Sequence, residues 1–137
     1  MDELSAIGKI AGSAMQAQTV RMRITAENMA NVDTTGSAPG ADPYRRKTVE
    51  FAQAVDRASG APIVTVDRID VDPSAFETRY DPSHPAANDT GYVKMPNVNA
   101  MVEMANMREA MRSYEANLNM MDSGRRMRVQ LLDMLKK

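Results

Sequence analysis

A mainly α fold with a small β or irregular insertion is predicted by three features of this 137-residue chain. All seven prolines lie from Pro39 to Pro96, so both terminal segments lack the residue that breaks helix interiors. Apolar residues recur at steps of three and four through the last forty or so positions, the spacing of one helix stripe. A run of turn-forming residues, Asn31-Val32-Asp33-Thr34-Thr35-Gly36, closes the first segment. The chain therefore divides into an N-terminal helix over 1–32, a Pro- and Gly-rich module of loops and short strands over 33–96, and a long C-terminal helix over 97–137. The two helices are expected to pack as an antiparallel coiled-coil pair.

The first helix is rich in Ala, Met and Gln, all good or fair helix formers. Ile10, Ala17 and Ile24 recur seven apart, with Ile7 and Ala14 three residues before the first two. Continuing the stripe brings in Arg21, Asn28 and Asn31, and polar residues on such a stripe fix register at some cost in stability. Gly8 and Gly12 are expected to weaken and fray the first turns. At the stop, Gly36 can supply a positive φ.

In the middle, 48–51 and 63–66 read as strands, the second followed by alternation at Ile69 and Val71. The stretches 37–43 and 59–62 are turn-rich, and two X-Pro steps keep 80–85 out of regular helix. The last helix carries a stripe of Ala100, Met104, Met107, Met111, Tyr114, Leu118, Met121, Arg125, Arg128, Leu132 and Leu135. From 98 to 135 it would be roughly 57 Å long, too long to bury within a domain of this size, so it needs a partner. Asn97 or Asn99 can cap its start, Glu103 sits near the positive end of its dipole, and Lys136 and Lys137 complement the negative end. Eight of the thirteen methionines fall from Met101 to Met134. Methionine packs adaptably, which suits a surface that must fit several neighbours. Gly124 is the weak point of this helix.

Composition excludes several functions. Net charge is −1, spread as zero over 1–30, −3 over 31–97 and +2 over 98–137. None of these is an excess on the scale of a nucleic-acid binder. The chain has no cysteine, hence no disulfide and no thiolate metal site. No apolar run reaches the length of a membrane span, and no secretory signal follows Met1-Asp2-Glu3. His84, the one histidine, lies in a turn-like segment and reads as a surface residue. Asp70, Asp72 and Ser74 fit a calcium loop poorly, since Ala75 stands where that loop needs Gly and Pro73 lies inside it. Arg125, Arg126 and Arg128 follow the heptads, where a basic zipper would have its basic region first. Arg125 and Arg128 are expected either to meet carboxylates or carbonyls of a neighbouring subunit or to lie on a solvated helix end. Glu103, Glu109, Glu115 and Asp122 oppose anionic lipid, which favours helix packing over membrane binding. No enzyme, cofactor or metal is expected.

Several blocks resemble a known family. Ala26-Glu27-Asn28-Met29-Ala30-Asn31-Val32-Asp33-Thr34-Thr35-Gly36 resembles the N-terminal motif of the bacterial flagellar rod and hook family, an A-x-N-x-A-N-x-x-T-x-G pattern. Pro43-Tyr44-Arg45-Arg46-Lys47, the segment 80–85, the segment 91–99 and the helix start at 103–117 are similar to that family's short rod proteins. The hook-like Gly-Tyr-Lys is absent after Thr35, where Gly36-Ser37-Ala38 stands.

The resemblance implies a structural subunit of the proximal rod, exported unfolded by the flagellar type III apparatus without a cleaved signal and transmitting torque across the periplasm. Its terminal helices would form part of a tubular assembly. Its partners would be copies of itself, other rod proteins, and basal-body and export-gate components. Asn28 and Asn31 would set register and end the first helix, and Gly36 would turn the chain outward. Met104, Met107, Met111, Tyr114, Leu118, Met121, Leu132 and Leu135 would bury against the first helix and against neighbouring subunits. The competing reading is a cytoplasmic coiled-coil scaffold or adaptor.

Overall fold

The chain's structure, a computed structural model, describes residues 2–136. Two long helices, α1 (Asp2–Ala30) and α2 (Ala100–Leu135), bracket four strands: β1 (Lys47–Val55), β2 (Pro62–Val71), β3 (Glu77–Tyr80) and β4 (Tyr92–Met95). The strands form two separate two-stranded sheets, β1–β2 and β3–β4. Both predicted strands are present and longer than expected, β2 absorbing the alternation at Ile69 and Val71. The β3–β4 pair was not expected, because each strand is only four residues long and its surroundings are dominated by prolines and turn residues.

Helix α1 runs unbroken through Gly8 and Gly12. The Ser13 and Thr19 hydroxyls donate to the carbonyls of Ile10 and Met15 (2.8 and 2.9 Å), so both polar side chains are satisfied on the helix itself. The helix stops where the sequence indicated. Asn31 donates from Nδ2 to the Glu27 carbonyl at 2.8 Å, and Thr34 returns to Asn31 through both its hydroxyl (3.0 Å) and its amide (3.1 Å). The role expected of Gly36 is corrected, since its φ is not positive. Glycine is needed there because a Cβ would lie 2.6 Å from the Ala41 Cβ and 2.8 Å from its carbonyl oxygen. Asn99 caps α2, its Oδ1 accepting from the Met101 and Val102 amides at 3.0 and 3.3 Å. Lys137, expected to complement the helix dipole, lies outside the described residues.

The residues cluster into two compact units, each drawing on both helices. Unit one holds α1 up to Met22, the hairpin residues Val49–Arg68, and α2 from Arg108 onward. Within it α1 lies between hairpin and α2. The Ser13 hydroxyl accepts from the Val64 amide at 3.1 Å and Lys9 pairs with Asp56 at 2.9 Å, both hairpin contacts. On the other side Ile7 abuts Gly124 and Arg21 pairs with Glu109 at 3.2 Å, so α2 runs antiparallel to α1. The buried side chains here are mostly small: Ala11, Ala17, Ala61 and Ala110, with Met15. The short link between β1 and β2 permits only an antiparallel hairpin. Asp56 shapes it by accepting from the Ala58 and Ser59 amides.

Unit two holds the end of α1, the loop that follows, β3–β4 and the start of α2. Strands β3 and β4 are antiparallel, with Glu77 opposite Met95 and Tyr80 opposite Tyr92. The two tyrosine rings meet edge to face at 5.2 Å. Val93 is fully buried beneath this hairpin, and the Arg45 guanidinium lies 4.1 Å from the Phe76 ring centre.

Candidate functional site: a polar knot and two open helix flanks

Unit two is organised around Asn28, which is 1% exposed. Its two side-chain protons go to the Lys47 carbonyl (2.9 Å) and to Glu103 Oε2 (3.2 Å). Its Oδ1 accepts from the Tyr44 hydroxyl and the Lys47 amide, both at 2.9 Å. All four hydrogen-bonding positions of the amide are thus filled. Glu103, also 1% exposed, receives the Arg46 Nε at 2.5 Å on its other oxygen. Arg46 reaches Asp72 as well, at 3.4 Å, and its amide donates to Asn97 Oδ1 at 2.7 Å. Asn97 in turn donates to the Asp72 carbonyl and to both oxygens of Ser74. Lys47 pairs with Glu27, the residue immediately before Asn28 on α1.

The electrostatics follow from this packing. Burial, and then the carboxylates of Glu27 and Glu103, push the Tyr44 phenol above its ordinary range. The Ser74 amide and hydroxyl, joined by the Arg46 guanidinium, hold the Asp72 carboxyl below the usual carboxylate range. A buried network whose groups are satisfied in one arrangement only fixes geometry more than it adds raw stability. Its product is a set register between the end of α1, the chain entering β1 and the start of α2.

The sequence singled out Asn28 on this site but missed Tyr44, Arg46, Lys47 and Asn97 as its partners. Glu103 was read as a helix-dipole residue and as a carboxylate of the polar face; it is instead buried, and its principal role is as acceptor for Asn28 and Arg46. A usable signal existed, because each of these residues sits in one of the blocks that carried the family resemblance. Those blocks, distant in sequence, meet in one place.

Asn31 lies outside the knot and finishes α1, while Gly36 packs under Ala41. His84 is not the surface residue expected. Its Nδ1 accepts from the Ala86 amide at 3.0 Å, and its Nε2 lies 3.5 Å from the Thr35 hydroxyl, so the half-buried ring ties its own turn to the loop after α1. Among the described residues no group of three or more His, Asp or Glu side chains is placed to hold a metal ion. No described helix is long and apolar enough to cross a membrane.

The α2 stripe divides. Met107, Tyr114 and Met121 are half-buried, whereas Met104, Met111, Leu118, Leu132 and Leu135 are exposed. Of α1, Ala17 and Ile24 are buried and Ile10 is half-buried. In unit one, the covered line of α2 runs through Ala110, Tyr114, Asn117, Met121 and Gly124, with Ala110 fully buried. Two exposed apolar rows flank that line: Met111 with Leu118 on one side, and Met120, Met127 and Met134 on the other. At about 100° per residue, each row sits about 100° round the helix from Ala110. Arg125 and Arg128 line a shallow groove with Leu4, Lys9 and Met121 and have no carboxylate partner among the described residues.

A pair of antiparallel helices with an open apolar row on each flank of α2 is the build of a subunit made to pack among others. Comparisons with known proteins agree with that class. Residues 9–36 match the family described as "Flagella basal body rod protein", and residues 89–134 match "Flagellar basal body rod FlgEFG protein C-terminal". A flagellar basal-body rod protein FlgC of Agrobacterium fabrum is 52% identical over 99% of this chain and 98% of its own length. The FlgC proteins of Escherichia coli O157:H7 (41% identical, 90% of this chain and 91% of the relative) and Bacillus subtilis (35%, 93% and 95%) are similar along nearly the same span. The chain belongs to the FlgC family of flagellar basal-body rod proteins.

Proposed function

We propose that this chain is a structural subunit of the proximal rod that packs as one stave of a tube and passes torque across the periplasm through contacts between neighbouring helices. The observation that carries this reading is the pair of exposed apolar rows on α2, one on each side of the line covered by α1. A two-stranded zipper has a single apolar seam. A stave needs one face for its own partner helix and an apolar flank toward each neighbour. Exposed apolar surface in continuous rows marks a contact surface, and methionine-rich rows tolerate neighbours that are similar but not identical. The neighbours are further copies of this chain or other rod proteins, and the assembly meets basal-body and export-gate components at its base. Delivery is by the flagellar type III apparatus, without a cleaved signal.

The test is a double substitution on one flank. Met111→Asp with Leu118→Asp should abolish rod assembly while export of the chain continues, since both residues are exposed and the fold does not depend on them. Normal motility in cells carrying only this variant would overturn the proposal.

A further inference from the structure

We infer that the Met120–Met127–Met134 row of α2 is an oxidation-sensitive face, and that its conversion to methionine sulfoxide keeps a subunit out of the assembly. The inference rests on the stave reading for its consequence, but its chemistry stands on exposure alone. The three residues recur every seven positions and so form one continuous row of thioethers. They are exposed in the free chain, Met134 at 66%, while Met15 in the same unit is at 9%. A subunit that has not yet joined its neighbours therefore offers this row to any small oxidant in its surroundings.

The step is a two-electron oxygen transfer from a peroxide or hypohalous acid. With hydrogen peroxide the sulfur lone pair attacks one oxygen and an S–O bond forms as the O–O bond breaks. The departing hydroxide takes up the transferred hydroxyl's proton and leaves as water. With a hypohalous acid the sulfur takes the halogen as hydroxide departs. Water then displaces halide from sulfur with loss of two protons, one of which neutralises the hydroxide. The product is a polar sulfoxide in place of an apolar thioether. Its oxygen demands a hydrogen bond, and a helix flank pressed against another apolar helix supplies none, so each buried sulfoxide weakens the contact. Met120, Met127 and Met134 are 55%, 42% and 66% exposed, with Met134 lining a groove beside Leu4 of α1, so oxidation acts on the surface of α2 and leaves its buried line untouched. Methionine sulfoxide reductase restores the thioether, which makes the block reversible. Once neighbours cover the row, the same residues are shielded.

Two measurements test this. Purified chain treated with dilute hydrogen peroxide is digested and each methionine peptide followed by mass spectrometry. Met120, Met127 and Met134 should gain one oxygen at least tenfold faster than Met15, and equal rates would overturn the inference. In cells lacking their own rod subunit, a triple Met→Gln variant at these positions, which mimics the sulfoxide, should lose swimming. A triple Met→Leu variant should swim normally and go on building new rods after a hypochlorite pulse that blocks new rod assembly by the unsubstituted chain. Normal swimming by the Gln variant, or equal sensitivity of the Leu variant, would overturn it. The stave reading fails separately, if the Met111→Asp, Leu118→Asp chain assembles. Thermal unfolding of both triple variants should match that of the unsubstituted chain, so that loss of swimming reports packing and not folding.

Discussion

Asn28→Ala is the most informative single change to the knot. It removes four hydrogen bonds at once and strands the Tyr44 hydroxyl, both backbone groups of Lys47 and one oxygen of Glu103. At 1% exposure, water has no route to replace them. At about 1 kcal/mol net per bond, the loss is about 4 kcal/mol, a large share of a stability of about 5–15 kcal/mol. Asn28→Asp separates shape from charge. It keeps the side chain's outline and its Oδ1 but replaces both donors with an anionic oxygen at the present 3.2 Å from Glu103. Two like charges at that distance repel by about 5 kcal/mol at an effective dielectric constant of about 20. The carboxylate pair therefore takes up a proton more readily in the folded chain than in the unfolded one, so this variant gains stability as pH falls. Urea unfolding followed by far-UV circular dichroism reads both effects. At about pH 7 the Asp variant should be the weaker of the two, and by about pH 5 the gap should narrow. An Ala variant within about 1 kcal/mol of the unsubstituted chain would refute the knot as a register device. So would an Asp variant indifferent to pH.

Other changes have equally definite outcomes. Gly36→Ala should destabilise by about 1–3 kcal/mol in the same urea assay, because the new Cβ meets Ala41 at well under contact distance. Adding Ala41→Gly should restore only part of the loss, since the Ala41 carbonyl carbon and oxygen stay at 2.9 and 2.8 Å. Asp72 contributes stability above the unfolded carboxylate range and loses it as pH falls through its lowered folded value, so urea midpoints should drop with acidification below about pH 4. Asp72→Asn should flatten that part of the acid slope, as it retains an acceptor for Ser74 but no charge for Arg46. Tyr44→Phe should cost about 1 kcal/mol by circular dichroism, through the bond to Asn28 alone.

The long-range outline of the fold was legible because helix rules are local. Proline placement bounded α1 and α2, and the Asn31–Gly36 turn and the Asn99 cap were readable from a few residues each. The β3–β4 hairpin was not, since four-residue strands set among prolines carry no periodic signal. The more instructive gap is the face by which α2 meets α1. Hydrophobic spacing picks out the largest apolar residues, yet the covered line runs through Ala110, Asn117 and Gly124. Close approach of two helices favours small side chains, and Gly124 admits Ile7 with a prospective Cβ only 3.3 Å away. The large residues Met111 and Leu118 stand beside that line, unused by the chain itself. Asn28 was recognisable as a register residue, but its Glu103 contact spans 75 positions and no local pattern announces it.

If the chain is a stave, both flanks of α2 are filled by neighbours in the rod. A photoreactive benzoylphenylalanine placed at Leu118, Met127 or Asn119 tests it directly in assembled basal bodies. Leu118 and Met127 mark the two flanks, and Asn119 lies about 180° from Ala110 on the side away from α1. Irradiation should join the chain to other subunits from positions 118 and 127 and leave the Asn119 control unjoined. Crosslinking from the two flank positions no stronger than from Asn119 would contradict the stave arrangement.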